Sequence, residues 1–138
     1  MDYDHFIRTV MSLGDVPSSA EAADITSATL ETLAERLSPK EAKNMATLLP
    51  KGIGKFLESA TGAEAEEFEI DEFFERIRQR SGLKIDPLVH RVRAVTETIK
   101  EAVDPSELLE MYAELPYEFR QLFDAGPLQS STSEISHT

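Results

Sequence analysis

Ser38-Pro39-Lys40-Glu41-Ala42-Lys43-Asn44-Met45-Ala46-Thr47-Leu48-Leu49-Pro50 is punctuated at both ends as a helix. A serine followed by proline, with glutamate three places after the serine, is a capping box whose proline sits where a missing N–H costs nothing. Leu49-Pro50 closes the segment, because a proline ring and a lost donor do not fit inside a continuing helix. Sixty-six positions later the chain reads Asp104-Pro105-Ser106-Glu107, places Met111 opposite Met45, and stops at Leu115-Pro116. The same helix, with the same start and stop, is written twice.

Outward from this pair the register holds. Ala28 stands against Ala94, Glu31-Thr32 against Glu97-Thr98, and Glu35 against Glu101. With one residue dropped in the loop before, Asp4-His5-Phe6-Ile7 pairs with Asp71-Glu72-Phe73-Phe74 and Val10 with Ile77. Tyr3, Phe6, Ile7, Val10 and their echo Ile70, Phe73, Phe74, Ile77 fall at i, i+3, i+4, i+7, one buried stripe per copy. The second helix starts behind Ser18, with Glu21 completing a capping box, and in the echo behind Asp86 with Pro87 at the first helical position. Its inner face reads Ala22, Ile25, Thr29, Leu33, Leu37 in one copy and Leu88, Val92, Val95, Ile99, Val103 in the other, which predicts a better-packed second half. A short fourth helix follows each Leu-Pro, carrying Ile53, Phe56, Leu57 and Phe119, Leu122, Phe123. Gly52 and Gly54 each cost about 1 kcal/mol against alanine, so the first of these is expected to fray.

The reading is all-α: a compact bundle of about eight helices from two tandem four-helix repeats, residues 1–60 and 69–126, with pseudo-twofold symmetry in a single domain 1–126. Four short helices alone make a marginal core, so the halves are expected to close on each other; two independent beads are the alternative. Residues 61–68 read as a small, acidic linker and 127–138, with little beyond Leu128 and Ile135 to bury, as a mobile tail.

Composition narrows the function. The 138 residues contain no cysteine, which removes disulfides, thiolate nucleophiles and cysteine-ligated metals and suits a reducing compartment, the cytoplasm by default. The N-terminus has no signal-peptide pattern, and no run nears the roughly 20 apolar residues of a membrane helix. With 26 acidic against 14 basic side chains the formal charge is −12, which repels a phosphate backbone, so neither nucleic acid nor membrane is expected as a partner.

No phosphate-binding glycine loop, nucleophile elbow or Ser/His/Asp set occurs, and no catalytic residue, metal ligand or cofactor is assigned. The three histidines share no ligand spacing. On a helical wheel with Leu88, Val92, Val95 and Ile99 inward, His90 falls on the solvent side beside Glu97 and Glu101. Tyr3, Tyr112 and Tyr117 read as core residues with a wet edge. Two features stand out. Glu31 with Glu35, and Glu97 with Glu101, are outward carboxylate pairs four residues apart, a candidate acidic face for a basic partner or a divalent cation. Arg76, Arg80, Lys84, Arg91 and Arg93, with Arg78, concentrate positive charge around the first loop of the second copy, a candidate partner-binding zone unless neighbouring acids pair with it. Leu83 and Ile85 beside that loop, and Leu128 in the tail, are candidate exposed contacts.

Asp4, Phe6, Pro39, Glu41, Leu49, Pro50 and Phe56, with Asp71, Phe73, Pro105, Glu107, Leu115, Pro116 and Phe123, resemble the bacterial domain-of-unknown-function family 2267 over residues 1–126. The resemblance implies an all-α bundle and brings no established activity or functional residue. Lys51-Gly52-Ile53-Gly54 departs from it, since the second copy has Tyr117-Glu118-Phe119-Arg120 there. The leading expectation is a non-catalytic protein-interaction or oligomerisation module. A carrier holding a small apolar ligand between the repeats is the alternative, and an enzyme ranks third.

Overall fold

The serine caps predicted from sequence form. Ser18 Oγ accepts the Glu21 N–H at 3.1 Å and Ser38 Oγ accepts the Glu41 N–H at 3.2 Å. In the computed structural model, which describes residues 1–62 and 64–124, these serines start the second and third of eight helices. The order is α1 (Tyr3–Gly14), α2 (Ser19–Arg36), α3 (Pro39–Leu48), α4 (Gly54–Ala60), α5 (Ile70–Ser81), α6 (Ile85–Ala102), α7 (Pro105–Tyr112) and α8 (Tyr117–Asp124). No strand occurs among the described residues, and none of their helices is long and apolar enough to cross a membrane. The segment 127–138, with Leu128 and His137, lies outside the described residues.

Two starts differ from the sequence reading. Helix α6 begins at Ile85 with Lys84 in the cap position, so Pro87 falls inside the first turn instead of at its head. That is tolerated because the first turn's N–H groups have no intrahelical partner to lose. At α7 the Asp104 side chain makes no cap bond. Its backbone carbonyl instead accepts from Glu107 N at 3.0 Å and Leu108 N at 3.3 Å.

Gly54 is buried at the head of α4, where an added Cβ would lie 2.2 Å from the Ala46 carbonyl oxygen. Its missing side chain lets α4 lie directly on α3, so the glycine expected to weaken this helix is what seats it. Gly52, at φ +93°, supplies the left-handed turn before it.

One continuous apolar cluster runs through both halves, with Phe6, Phe73, Phe119 and Phe123 fully buried. Phe73 and Phe119 meet edge-on at 5.1 Å between centroids. Each such ring contributes about 1.5–3 kcal/mol through burial. Several helix pairings correspond between the halves: α1 packs on α2 and on α6, while α5 packs on α6 and on α2; α4 lies on α2 as α8 lies on α6; α2 meets α6 and α3 meets α7, but the close packing of α3 on α4 has no α7–α8 counterpart of similar extent. Each first helix is thus shared between the halves.

This sharing gives α2 and α6 a second buried stripe on the side facing the visiting helix. Ala28 and Thr32 line it on α2, Ala94 and Thr98 on α6. A Cβ on Gly14 would stand 3.0 Å from the Ala94 methyl, so α1 crosses α6 at close range. The second half is not the more deeply packed along these helices. Four helices cover each of them, and beyond the inner face and the second stripe α2 also buries Thr26, Leu30, Ala34 and Arg36, whereas α6 adds Thr96 alone.

Candidate functional site

Where α5 crosses α2, the candidate basic zone and the candidate acidic face meet. Arg76 Nη1 donates to Glu35 at 2.9 Å, and Arg80 donates to both oxygens of the same carboxylate and to Thr32 Oγ1. Arg76 also donates to Glu66 and Glu72, each at 3.0 Å, and lies 4.0 Å over the Phe68 ring. Burial pushes the Glu35 carboxyl upward, but the hydrogen bonds from Arg80 and Arg76 outweigh it and hold the group below its ordinary range. The same three carboxylates raise the Arg76 guanidinium against a desolvation that acts to lower it. Two cations and one carboxylate from opposite halves therefore form an internal clasp.

The linker is part of this clasp. Glu66 N–H donates to the Glu35 carbonyl at 2.8 Å, satisfying a carbonyl orphaned at the end of α2. Phe68 is buried, its carbonyl accepts from Arg36 Nε at 3.0 Å, and its ring meets Phe119 at 6.4 Å. Phe68 and Arg36 were missed by the sequence reading. The one signal for Phe68 was an aromatic residue closing an otherwise acidic run.

The other sequence candidates separate. Arg91 reaches Glu21 at 3.4 Å, and His90 Nε2 lies 3.3 Å from Asp15 Oδ2. Asp15 ends α1 in the left-handed region at φ 52°, a conformation aspartate accepts more readily than most residues, and this brings its carboxylate to α6. His90 is accordingly half-covered by α1 rather than on an open face. Lys84 is exposed, Arg93 half-buried.

The carboxylate pairs are not two solvated faces either. Glu35 is in the clasp, Glu31 accepts from Ser27 Oγ at 2.9 Å, Glu97 is mostly covered and holds Lys100 at 3.1 Å, and Glu101 is exposed. Lys100 also donates to the Phe123 carbonyl at 2.7 Å, tying α6 to α8. Asp24, Ser27, Glu31, Arg80 and Ser81 line an open polar cleft of about 220 Å³ between α2 and α5. Ser81 occupies the place that Gly14 holds in the tighter α1–α6 crossing. Among the described residues no three His, Asp or Glu side chains converge as a metal-binding set.

A second inter-half contact joins α3 to α7. Glu114 accepts from both Ser38 N and Ser38 Oγ at 2.7 Å, taking the reciprocal role that Glu41 would have in a capping box. Glu41 is left buried, with Asn44 Nδ2 at 3.4 Å. Burial, joined by Glu110, Glu114 and Glu107, pushes its carboxyl above the usual range, and Asn44 only partly offsets this. Tyr112, edge-on to Phe123 at 5.5 Å, is pushed up to about 12 by burial, with Asp124 and Glu97 adding to it.

The surface differs between halves. Ile85, Val89, Leu109 and Tyr117 are 49%, 37%, 65% and 63% exposed, and all four belong to the second half. At the matching positions the first half has Ser19, Ala23, Lys43 and Lys51. Tyr3 and Met1 are the exposed large apolar residues of the first half. Leu83, expected to be exposed with Ile85, is partly buried against the core. The small side chains Ser19, Ala20 and Ala23 leave a groove of about 350 Å³ between α1 and α2, floored by Ile7 and edged by Tyr3, Asp4 and Arg8.

Among the described residues, eight helices, a core shared by both halves and ionic clasps where the halves meet define an all-α bundle. The family model of the uncharacterized conserved protein DUF2267 matches residues 3–122, and the chain belongs to that family. No curated protein matches the sequence.

Proposed function

We propose that the chain is a non-catalytic protein-interaction module whose contact surface lies on its second half. The observation that carries this reading is the exposure of Ile85, Val89, Leu109 and Tyr117 at positions where the first half, at the same places in its helices, has Ser19, Ala23, Lys43 and Lys51. The fold does not need large apolar side chains there, and leaving them in water costs roughly 25 cal/mol per Å² that burial against a partner recovers. The Arg76–Arg93 zone supports the reading less than its composition suggested, since Arg76, Arg80 and Arg91 are engaged by Glu35, Glu66, Glu72 and Glu21. A bacterial cytoplasm suits the family resemblance and the cysteine-free composition. The charge of −12 disfavours nucleic acid as the partner.

The test is affinity capture from native extract with the wild type and two variants carrying the first-half residues, Ile85→Ser/Val89→Ala and Leu109→Lys/Tyr117→Lys. Loss of a captured protein, or of captured self, with one variant is expected. Identical captures by all three would refute the reading.

A further inference from the structure

The two halves offer a projection and a recess at the same place. On α6, Ile85 and Val89 are one turn apart and both exposed. On α2 the same positions are Ser19 and Ala23, and their small size opens the groove of about 350 Å³ against α1. The volume is in the range of sites that hold a few apolar side chains. Its floor and one edge, Ile7 and Tyr3, are apolar, matching an isoleucine–valine pair.

The flanking charges match as well. Asp4 and Arg8 border the groove, and Lys84 and Asp86 border the projection, so docking can place Lys84 toward Asp4 and Asp86 toward Arg8. All four side chains are exposed. Such pairs set register more than they add affinity. The repulsion between two chains of charge −12 is screened beyond about 8 Å at physiological ionic strength, and the contact itself joins opposite charges.

We propose that the partner at this surface is a second copy of the chain, the Ile85–Val89 projection of one molecule seating in the Tyr3–Ala23 groove of another. This rests on the interaction-module reading and specifies its partner. A projection and a recess on different surfaces make a heterologous contact, which closes a dimer if both ends engage and otherwise extends a chain.

The halves supply their own conservative variants. Ile85→Ser/Val89→Ala removes the projection and Ser19→Ile/Ala23→Val fills the groove, each using residues the fold already accepts at the matching position. Sedimentation equilibrium over a concentration series on the full chain measures association, and circular dichroism checks that both variants fold. The wild type is expected to self-associate, each variant about tenfold more weakly. An equimolar mixture of the two variants should associate more tightly than either alone, because the filled variant keeps a projection and the smooth variant keeps a groove. A monomeric wild type, unchanged variants, or a mixture no tighter than its components each overturns the proposal. A monomeric wild type whose captured foreign partner depends on Ile85 and Val89 would overturn self-docking and leave the interaction module standing; no capture of any kind removes both.

Discussion

Replacing Glu35 by alanine tests how firmly the two halves are joined. The side chains of Glu35, Arg76 and Arg80 are 18%, 24% and 31% exposed, between a surface ion pair and a buried one. Exposed pairs contribute roughly 0–1 kcal/mol, while removing one partner of a buried pair costs about 3–5 kcal/mol. Arg76 keeps Glu66 and Glu72 after the substitution, whereas Arg80 loses both carboxylate bonds and keeps Thr32. The expected loss is therefore about 2 kcal/mol, or roughly 6 °C in Tm for a chain of this size. Urea unfolding at neutral pH measures it, with an unchanged m-value as the sign that the native state has not opened. Glu31→Ala, on the same helix one turn earlier, is the control and should stay within about 0.5 kcal/mol. Equal effects at the two positions would refute the clasp.

Acid titration adds a second check on the same carboxylate. Because Glu35 titrates below its ordinary value near 4.5 when folded, the clasp's stability is present above that value and is lost as pH falls through the folded pKa. The gap between wild type and Glu35→Ala should thus persist at neutral pH and narrow only in acid.

Glu41→Gln should act with the opposite sign: its carboxyl titrates above the ordinary 4.5, so the ionised form weakens the fold at neutral pH, and the variant's gain should shrink as pH falls through the raised pKa, read by thermal melts across pH. Thr29 Oγ1 is buried and has no hydrogen-bond partner among the described residues, while its counterpart is Val95, so Thr29→Val should stabilise by about 1 kcal/mol in urea, and a loss of stability would show that the hydroxyl is satisfied. Gly54→Ala should destabilise by about 2 kcal/mol or more, since backbone atoms of Ala46 lie 2.2–3.2 Å from the new methyl; a neutral result would mean that α3 and α4 separate freely.

Helix number, order and most of the core were legible because capping residues and 3.6-residue periodicity are local signals. The second buried stripe of α2 and α6 was not. A wheel drawn around Leu88, Val92, Val95 and Ile99 assumes one covered face, and that assumption placed His90 and the Glu31–Glu35 pair in solvent. The clue was the match of Ala28 and Thr32 with Ala94 and Thr98, small and β-branched residues kept on the polar side of both helices. Small side chains repeated on a supposedly wet face mark close approach by another backbone, as Gly14 on Ala94 confirms.

The clasp escaped for a different reason. Arg76 and Glu35 are separated by 41 positions, and no periodicity connects residues on different helices. The charge cluster was visible, and so was the prospect that nearby acids pair with it, but Glu35 and Glu66 as the partners were not. Phe68 was hidden by its neighbours, since the acidic run around it reads as solvated until Arg36 and Phe119 are seen to hold it.

The exchange of first helices has a topological consequence. Since α1 completes the surface of α6 and α5 that of α2, neither stretch of sequence encloses a finished interior, and the chain resembles a helix-exchanged dimer fused into one polypeptide. Scission between the halves is therefore expected to yield two incomplete fragments that fold only on meeting, each supplying the helix that covers the other.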